Sequence, residues 1–282
     1  MIYNQPTLIN LPKDGSGIGT FMFGSYPVYH KSSNVTSIAG NMTESAGVLS
    51  TTSVGIPNGW ALDISSVSSD YMRHMEIDAD GNIIALLNSS DGDLMKITPD
   101  GAVVWRIKIY GSANKVAVDS SNNIYTISTY NSNKALVYKI SPTGTLVWSY
   151  TIGTSATTDA GWSVAVDSVN SAVYFAGIYG TLAFIVKLGT GTGNVIWKRT
   201  LVETAQIYPY GLTVTSAGEL IITGEIRLSP YRMLLAKYDS TGSKIWAKSI
   251  SANTGRTVIT DSSGNIFISG EYNSDAVVIK YN

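Results

Sequence analysis

The side chains best suited to chemistry in this sequence are aromatics and arginines, with a few scattered carboxylates. Asp78-Ala-Asp-Gly-Asn82 has the spacing with which a calcium loop begins. Such a loop needs a Glu at its twelfth position, where Ser89 stands. Sister turns at Asp119, Asp167 and Asp261 lack the second acid, so Asp78 reads as a turn cap and no metal is expected. Glycoside hydrolysis needs two carboxylates about 5 to 9 Å apart. Glu76 falls on a predicted inner strand, but Asp159 and Glu203 lie in unmatched loops. No Gly-x-Ser-x-Gly elbow occurs, and His30 and His74 are the only histidines, which speaks against a serine triad. The stronger candidates are Tyr71, Arg73, His74, Trp162, Tyr208, Tyr210 and Arg256, on connections that would gather near one axis. Aromatics beside Arg can stack on sugar rings and bond hydroxyls, and they serve protein interfaces equally well. Catalysis and a cofactor are not expected.

Those connections are positioned by a repeat. Trp60, Trp105, Trp148, Trp197 and Trp246 recur at roughly 45-residue intervals, a spacing typical of propeller blades. Each is followed four positions later by Ile or Leu, so the pair shares one face of a strand. Four residues before each of the later four lies a turn glycine: Gly101, Gly144, Gly193 and Gly242. Earlier in each unit comes an Asp-capped turn, which the copy at Thr215 has lost. Third strands such as Ala183–Val186 and Ala276–Ile279 are continuous apolar runs, as strands covered on both faces should be. Each run ends in Lys (Lys96, Lys139, Lys187, Lys237, Lys280), expected to lay its stem on a neighbour and keep its charge in water.

Four antiparallel strands per unit, repeated radially, predict an all-β five-bladed β-propeller over residues 55–282. Asp261 to Asn282 carries the unit only as far as Lys280-Tyr281-Asn282, while the strand at Trp60-Ala-Leu-Asp-Ile64 has no repeat before it. The Trp60 strand is therefore expected to complete the C-terminal blade and close the ring. Residues 1–54 do not fit the repeat and read as an irregular β-rich arm. Its apolar Phe21-Met22-Phe23 is a candidate docking patch.

The units Asp261–Gly270, Ala236–Gly242 and Ile245–Lys248 resemble the bacterial and phage β-propeller repeat called SBBP, over about residues 56 to 282. That resemblance implies architecture rather than one activity, and its seven-bladed name departs from the five blades counted here. The Gly-x-x-x-Trp element is also similar to the tryptophan motif of quinoprotein propellers, whose quinone and metal site has no counterpart in these residues.

Charged residues make up 14% of the chain and the net charge is −1, which excludes the broad basic face that nucleic acid requires. There is no Cys, hence no disulfide or thiolate site. Neither a signal peptide nor a membrane-spanning stretch is visible. The expectation is a non-enzymatic recognition propeller whose Ser/Thr/Asn/Tyr surface resembles that of phage virion components, a tail or decoration protein. It would be made in the host cytoplasm and located on the virion, docking through residues 1–54 to other virion proteins or copies of itself. The alternative is a free lectin-like protein binding cell-surface glycan, and after that a propeller glycoside hydrolase using Glu76.

Overall fold

The computed structural model describes residues 71–282 apart from 89–92, 131–133, 153–158, 202–204 and 252, together with the backbone of 19–23 and 26–30. The chain divides into two compact units, Met1–Val67 and Ser68–Asn282. In the first, β1 (Gly19–Phe23) and β2 (Tyr26–His30) form an antiparallel hairpin, with Phe21, Met22 and Phe23 opposite Val28, Pro27 and Tyr26. The strand expected around Trp60, and with it the closure of the ring, lies outside the described residues.

The second unit is an all-β five-bladed propeller. Its first blade contains β3 (Tyr71–Ile77), β4 (Ile83–Asn88), β5 (Asp93–Ile97) and β6 (Val103–Lys108). The second contains β7 (Ser112–Val118), β8 (Ile124–Tyr130), β9 (Lys134–Ile140) and β10 (Leu146–Ile152). The third comprises β11 (Asp159–Asp167), β12 (Ala172–Tyr179), β13 (Leu182–Gly189) and β14 (Val195–Leu201). The fourth comprises β15 (Ile207–Val214), β16 (Leu220–Ile226), β17 (Arg232–Tyr238) and β18 (Lys244–Ile250). Three strands of the fifth are described: β19 (Thr254–Thr260), β20 (Ile266–Tyr272) and β21 (Asp275–Tyr281). Every pairing is antiparallel, and the first strands β3, β7, β11, β15 and β19 pack side by side in that order.

The core lies between blades. Tyr174 and Ile185 of the third meet Ile222 and Leu234 of the fourth, and Leu235 of the fourth meets Val258 and Ile268 of the fifth. Outer-strand tryptophans tie each sheet to the next. The indole N–H groups of Trp105, Trp148 and Trp197 donate to the carbonyls of Pro142, Thr190 and Ser240, at 3.0, 3.1 and 3.0 Å. Each indole covers the turn glycine of the following blade, so a Cβ on Gly193 would stand 2.7 Å from Trp148. The Gly-x-x-x-Trp spacing therefore serves two contacts at once: φ of +72° at Gly193 makes the turn, and the bare backbone receives the preceding blade's ring.

Three of the five repeated lysines depart from expectation, while Lys280 is exposed as expected. Lys96 and Lys187 are buried and paired with the turn aspartates of their own blades, at 2.8 Å to Asp78 and 3.1 Å to Asp167. Lys139 is buried as well and donates to the Thr190 carbonyl at 2.8 Å. The unit that lost its turn acid at Thr215 recovers one four residues later, because Glu219 pairs with Lys237 at 2.6 Å. The reason is topological: the third strand passes beside the turn between the first two, so its terminal ammonium meets the capping carboxylate.

Candidate binding site

All five inner strands carry a β-bulge near their start. The register slips between Met72 and His74, Ala113 and Lys115, Gly161 and Ser163, Tyr208 and Gly211, and Gly255 and Thr257. The residues left without a partner are Arg73, Asn114, Trp162, Pro209 with Tyr210, and Arg256. A bulge bends the strand and re-aims the extra side chain, which is why bulges gather beside functional sites. In three blades the opposite strand makes room with glycine. A Cβ on Gly177, Gly224 or Gly270 would fall 2.0 Å from the carbonyl oxygen of Ala160, Tyr208 or Thr254.

The bulged side chains connect from strand to strand. Asn114 Nδ2 donates to the Gly161 carbonyl, next to Trp162. Trp162 meets Tyr210 edge-on with centroids 5.2 Å apart, and Tyr208 at 6.2 Å. The two tyrosines stack at 5.9 Å and 27°. Arg256 lies over the Tyr210 ring at 4.9 Å, and Arg227, just after β16, lies over Tyr208 at 4.0 Å. Arg227 Nε donates to Glu225 Oε1 at 2.8 Å, while the other oxygen of this buried carboxylate accepts the Thr254 hydroxyl at 3.0 Å. The Glu225 contact holds the Arg227 guanidinium above its usual pKa. Burial, followed by the Glu225 charge, raises that of the Tyr210 phenol. The Trp162 indole nitrogen is a buried donor with no acceptor among the described residues.

Of the residues singled out in the sequence, Trp162, Tyr208, Tyr210 and Arg256 thus converge. Tyr71 and Arg73 form a separate pair on β3, 5.0 Å apart. His74 lines a cavity of about 320 Å³ along the axis, walled by the inner strands of all five blades. Beside it are Glu76 and Lys115, with Val116, Val164, Leu212 and Val258 supplying apolar wall. Burial first, and then the Lys115 charge, pushes the His74 imidazole down to about 4, against a backbone hydrogen bond at Val116. It is therefore neutral at pH 7. Burial raises the Glu76 carboxyl and lowers the Lys115 ammonium, each shift opposed by the charge of the other. Glu76 is the one carboxylate among the described residues lining this cavity.

Asn114, Lys115, Glu225, Arg227 and Thr254 were not legible as site residues. For Glu225, Arg227 and Thr254 the second-strand glycines Gly224 and Gly270 were the available signal, since an interior strand glycine marks a bulge or a close backbone approach. The strand β8, opposite Asn114 and Lys115, has none. Asp78 acts as a cap: its Oδ1 accepts from the backbone of Asp80 and Asn82, and its Oδ2 faces Lys96. The Asp78 and Asp119 turns are joined, because Asn122 accepts from the Ala79 backbone and donates to Asp80.

A profile of the family described as outer membrane protein assembly factor BamB matches residues 90–282. No curated protein matches the chain. Among solved structures, Kuenenia stuttgartiensis hydrazine synthase is similar at 15% identity and a TM-score of 0.60, over 70% of this chain and 55% of that one. The chain thus spans little more than half of that relative's length. A Xanthomonas campestris gluconolactonase is similar at 15% identity and a TM-score of 0.50, over 71% of this chain and 69% of that one. BamB from Moraxella catarrhalis is 16% identical with a TM-score of 0.47, over 80% and 74% of the two chains. The likeness to the first two, at such identities, shows a shared fold alone.

Proposed function

Because this chain belongs to the β-propeller repeat family described as outer membrane protein assembly factor BamB, we propose that it is a non-enzymatic recognition protein whose ring of inner-strand bulges binds a partner. The observation that carries this reading is the convergence of Trp162, Tyr208, Tyr210 and Arg256 on consecutive inner strands, with Arg227 just after β16 over Tyr208. Solved relatives include an enzyme, the gluconolactonase, so the fold leaves activity open. The chemistry favours binding: among the described residues lining the cavity, Glu76 has no second carboxylate beside it of the kind sugar hydrolysis requires.

In its finer form the proposal is a virion component, a tail or decoration protein, with the SBBP-type repeat as scaffold and β1 as docking strand. The support is compositional, a surface poor in charge and rich in Ser, Thr, Asn and Tyr. The lectin alternative has the aromatic cluster in its favour. It is weakened because a guanidinium covers a face of each tyrosine that a sugar ring would otherwise use.

The test is an array of immobilised peptides and glycans probed with the full chain. Wild type is expected to bind at least one class. Trp162→Leu with Tyr210→Leu should weaken that binding about ten-fold or more, equivalent to about 1.4 kcal/mol, while the far-ultraviolet dichroism stays unchanged. Folded protein whose binding ignores both substitutions, or that binds nothing, would contradict the reading. A parallel substitution of Phe21, Met22 and Phe23 by Ser addresses docking, and unchanged self-association and particle binding would remove that part.

A further inference from the structure

Resting on that reading, we infer that the ligand of the bulge ring is a carboxylate-bearing peptide segment of a partner protein, gripped by Arg256 and Arg227. The aromatic residues here present cations rather than open ring faces. Arg227 lies 4.0 Å above Tyr208 and Arg256 lies 4.9 Å above Tyr210. Stacking of this kind fixes the guanidinium plane and leaves the N–H edges as the working surface, the geometry that reads carboxylates in pairs of parallel bonds.

Those edges are open. Arg227 is anchored through Nε alone by Glu225, and Glu225 spends its other oxygen on Thr254, so among the described residues no contact occupies the two terminal nitrogens of Arg227. Arg256 takes part in no ion pair among the described residues, and neither does Arg73, the bulged residue of the first blade. Trp162 adds a buried N–H without an acceptor in the same cluster. Glu225, with both oxygens already engaged, leaves the terminal N–H groups of Arg227 for another carboxylate, and such paired N–H edges favour an acidic partner.

The floor beneath the ring argues for a peptide over a polyanionic sugar. The cavity of about 320 Å³ has Val116, Val164, Leu212 and Val258 in its wall, and Lys115, the one cation among its described lining residues, already faces the charge of Glu76. An extended segment that alternates acidic and apolar side chains would set carboxylates on the arginine edges and apolar groups against this wall. A sugar acid has no such apolar arm.

The experiment uses the full chain and an end-blocked, fluorescein-labelled peptide of three Glu-Leu repeats, followed by fluorescence anisotropy. Saturable binding is expected that weakens as salt is raised and falls about ten-fold or more in Arg256→Gln and in Arg227→Gln. Arg199→Gln, on the outer strand, should leave it unchanged. The matching Gln-Leu peptide should not bind. Equal binding of the Gln-Leu peptide, or no effect of either ring substitution, overturns the inference. Arginine-dependent binding of oligogalacturonate in preference to the peptide assigns the ring to acidic sugar and overturns it too. If neither acidic probe binds while the array ligand is still lost in Trp162→Leu/Tyr210→Leu, the carboxylate assignment fails and the recognition site survives. If the array shows no ring dependence either, both fall.

Discussion

Replacing Lys187 with methionine is expected to destabilise the propeller by about 3–5 kcal/mol, the usual cost of stranding one member of a buried ion pair. The side chains of Lys187 and Asp167 are 3% and 0% exposed, and they meet at 3.1 Å. Lys187 Nζ also reaches the Ser240 carbonyl of the next blade at 3.1 Å and sits 5.0 Å over the Tyr174 ring. Without it, the Asp167 carboxylate would lose its counter-charge in the interior. It cannot swing out, because its oxygens accept from the Asn170 backbone, the Asn170 amide and the Tyr174 hydroxyl. Adding Asp167→Asn should return part of the loss, since the buried charge is then gone. The control is Lys237→Met, whose pair with Glu219 has side chains 24% and 28% exposed. That substitution should cost about 1 kcal/mol or less. Urea midpoints for the three variants and wild type decide the matter, and equal losses at Lys187 and Lys237 would show that burial of the pair is not what matters.

This pair also marks where the sequence stops being readable. The apolar run ending in Lys187 and the turn capped by Asp167 are both visible as patterns. Their meeting depends on the third strand lying beside the first turn of its own blade, which is a fact of sheet order. The outer strands were legible because each repeats one large side chain at a constant distance from a turn glycine. Trp162, Tyr208, Tyr210 and Arg256 stood out as aromatics and an arginine on connections expected to gather near the axis. The bulges that bring them together leave almost no trace, since a bulge changes register without changing the alternation of apolar and polar residues enough to notice. Arg227 and Glu225 were missed for a related reason: they follow Gly224 at and just beyond the end of the second strand, and reach the mouth because that strand is paired with a bulged neighbour.

Gly224→Ala should disable the site and lower stability together. The new Cβ would lie 2.0 Å from the Tyr208 carbonyl oxygen and 3.1 Å from Pro209 Cα, both backbone atoms that cannot rotate aside. The strand β15 must shift. Overpacking of this kind typically costs about 1–3 kcal/mol, and the rigid obstacle argues for the upper part of that range. Tyr208 and Tyr210 move with their strand, so ring-dependent binding should fall about ten-fold or more. Gly191→Ala is the matched control, because a Cβ there meets nothing within 4 Å. Melting and array binding measured on both variants are sufficient. If Gly224→Ala keeps wild-type binding, the tyrosines do not need the bulge that the glycine permits.

Amide hydrogen exchange, recorded with and without the ligand that the array identifies, asks where that ligand sits. Protection is expected at the five bulges, over residues 72–74, 113–115, 161–163, 208–211 and 255–257, with little change in the outer strands. Protection confined to the outer strands β6, β10, β14 and β18, or to the β1–β2 hairpin, would place recognition elsewhere and contradict the assignment of the axial mouth as the binding site.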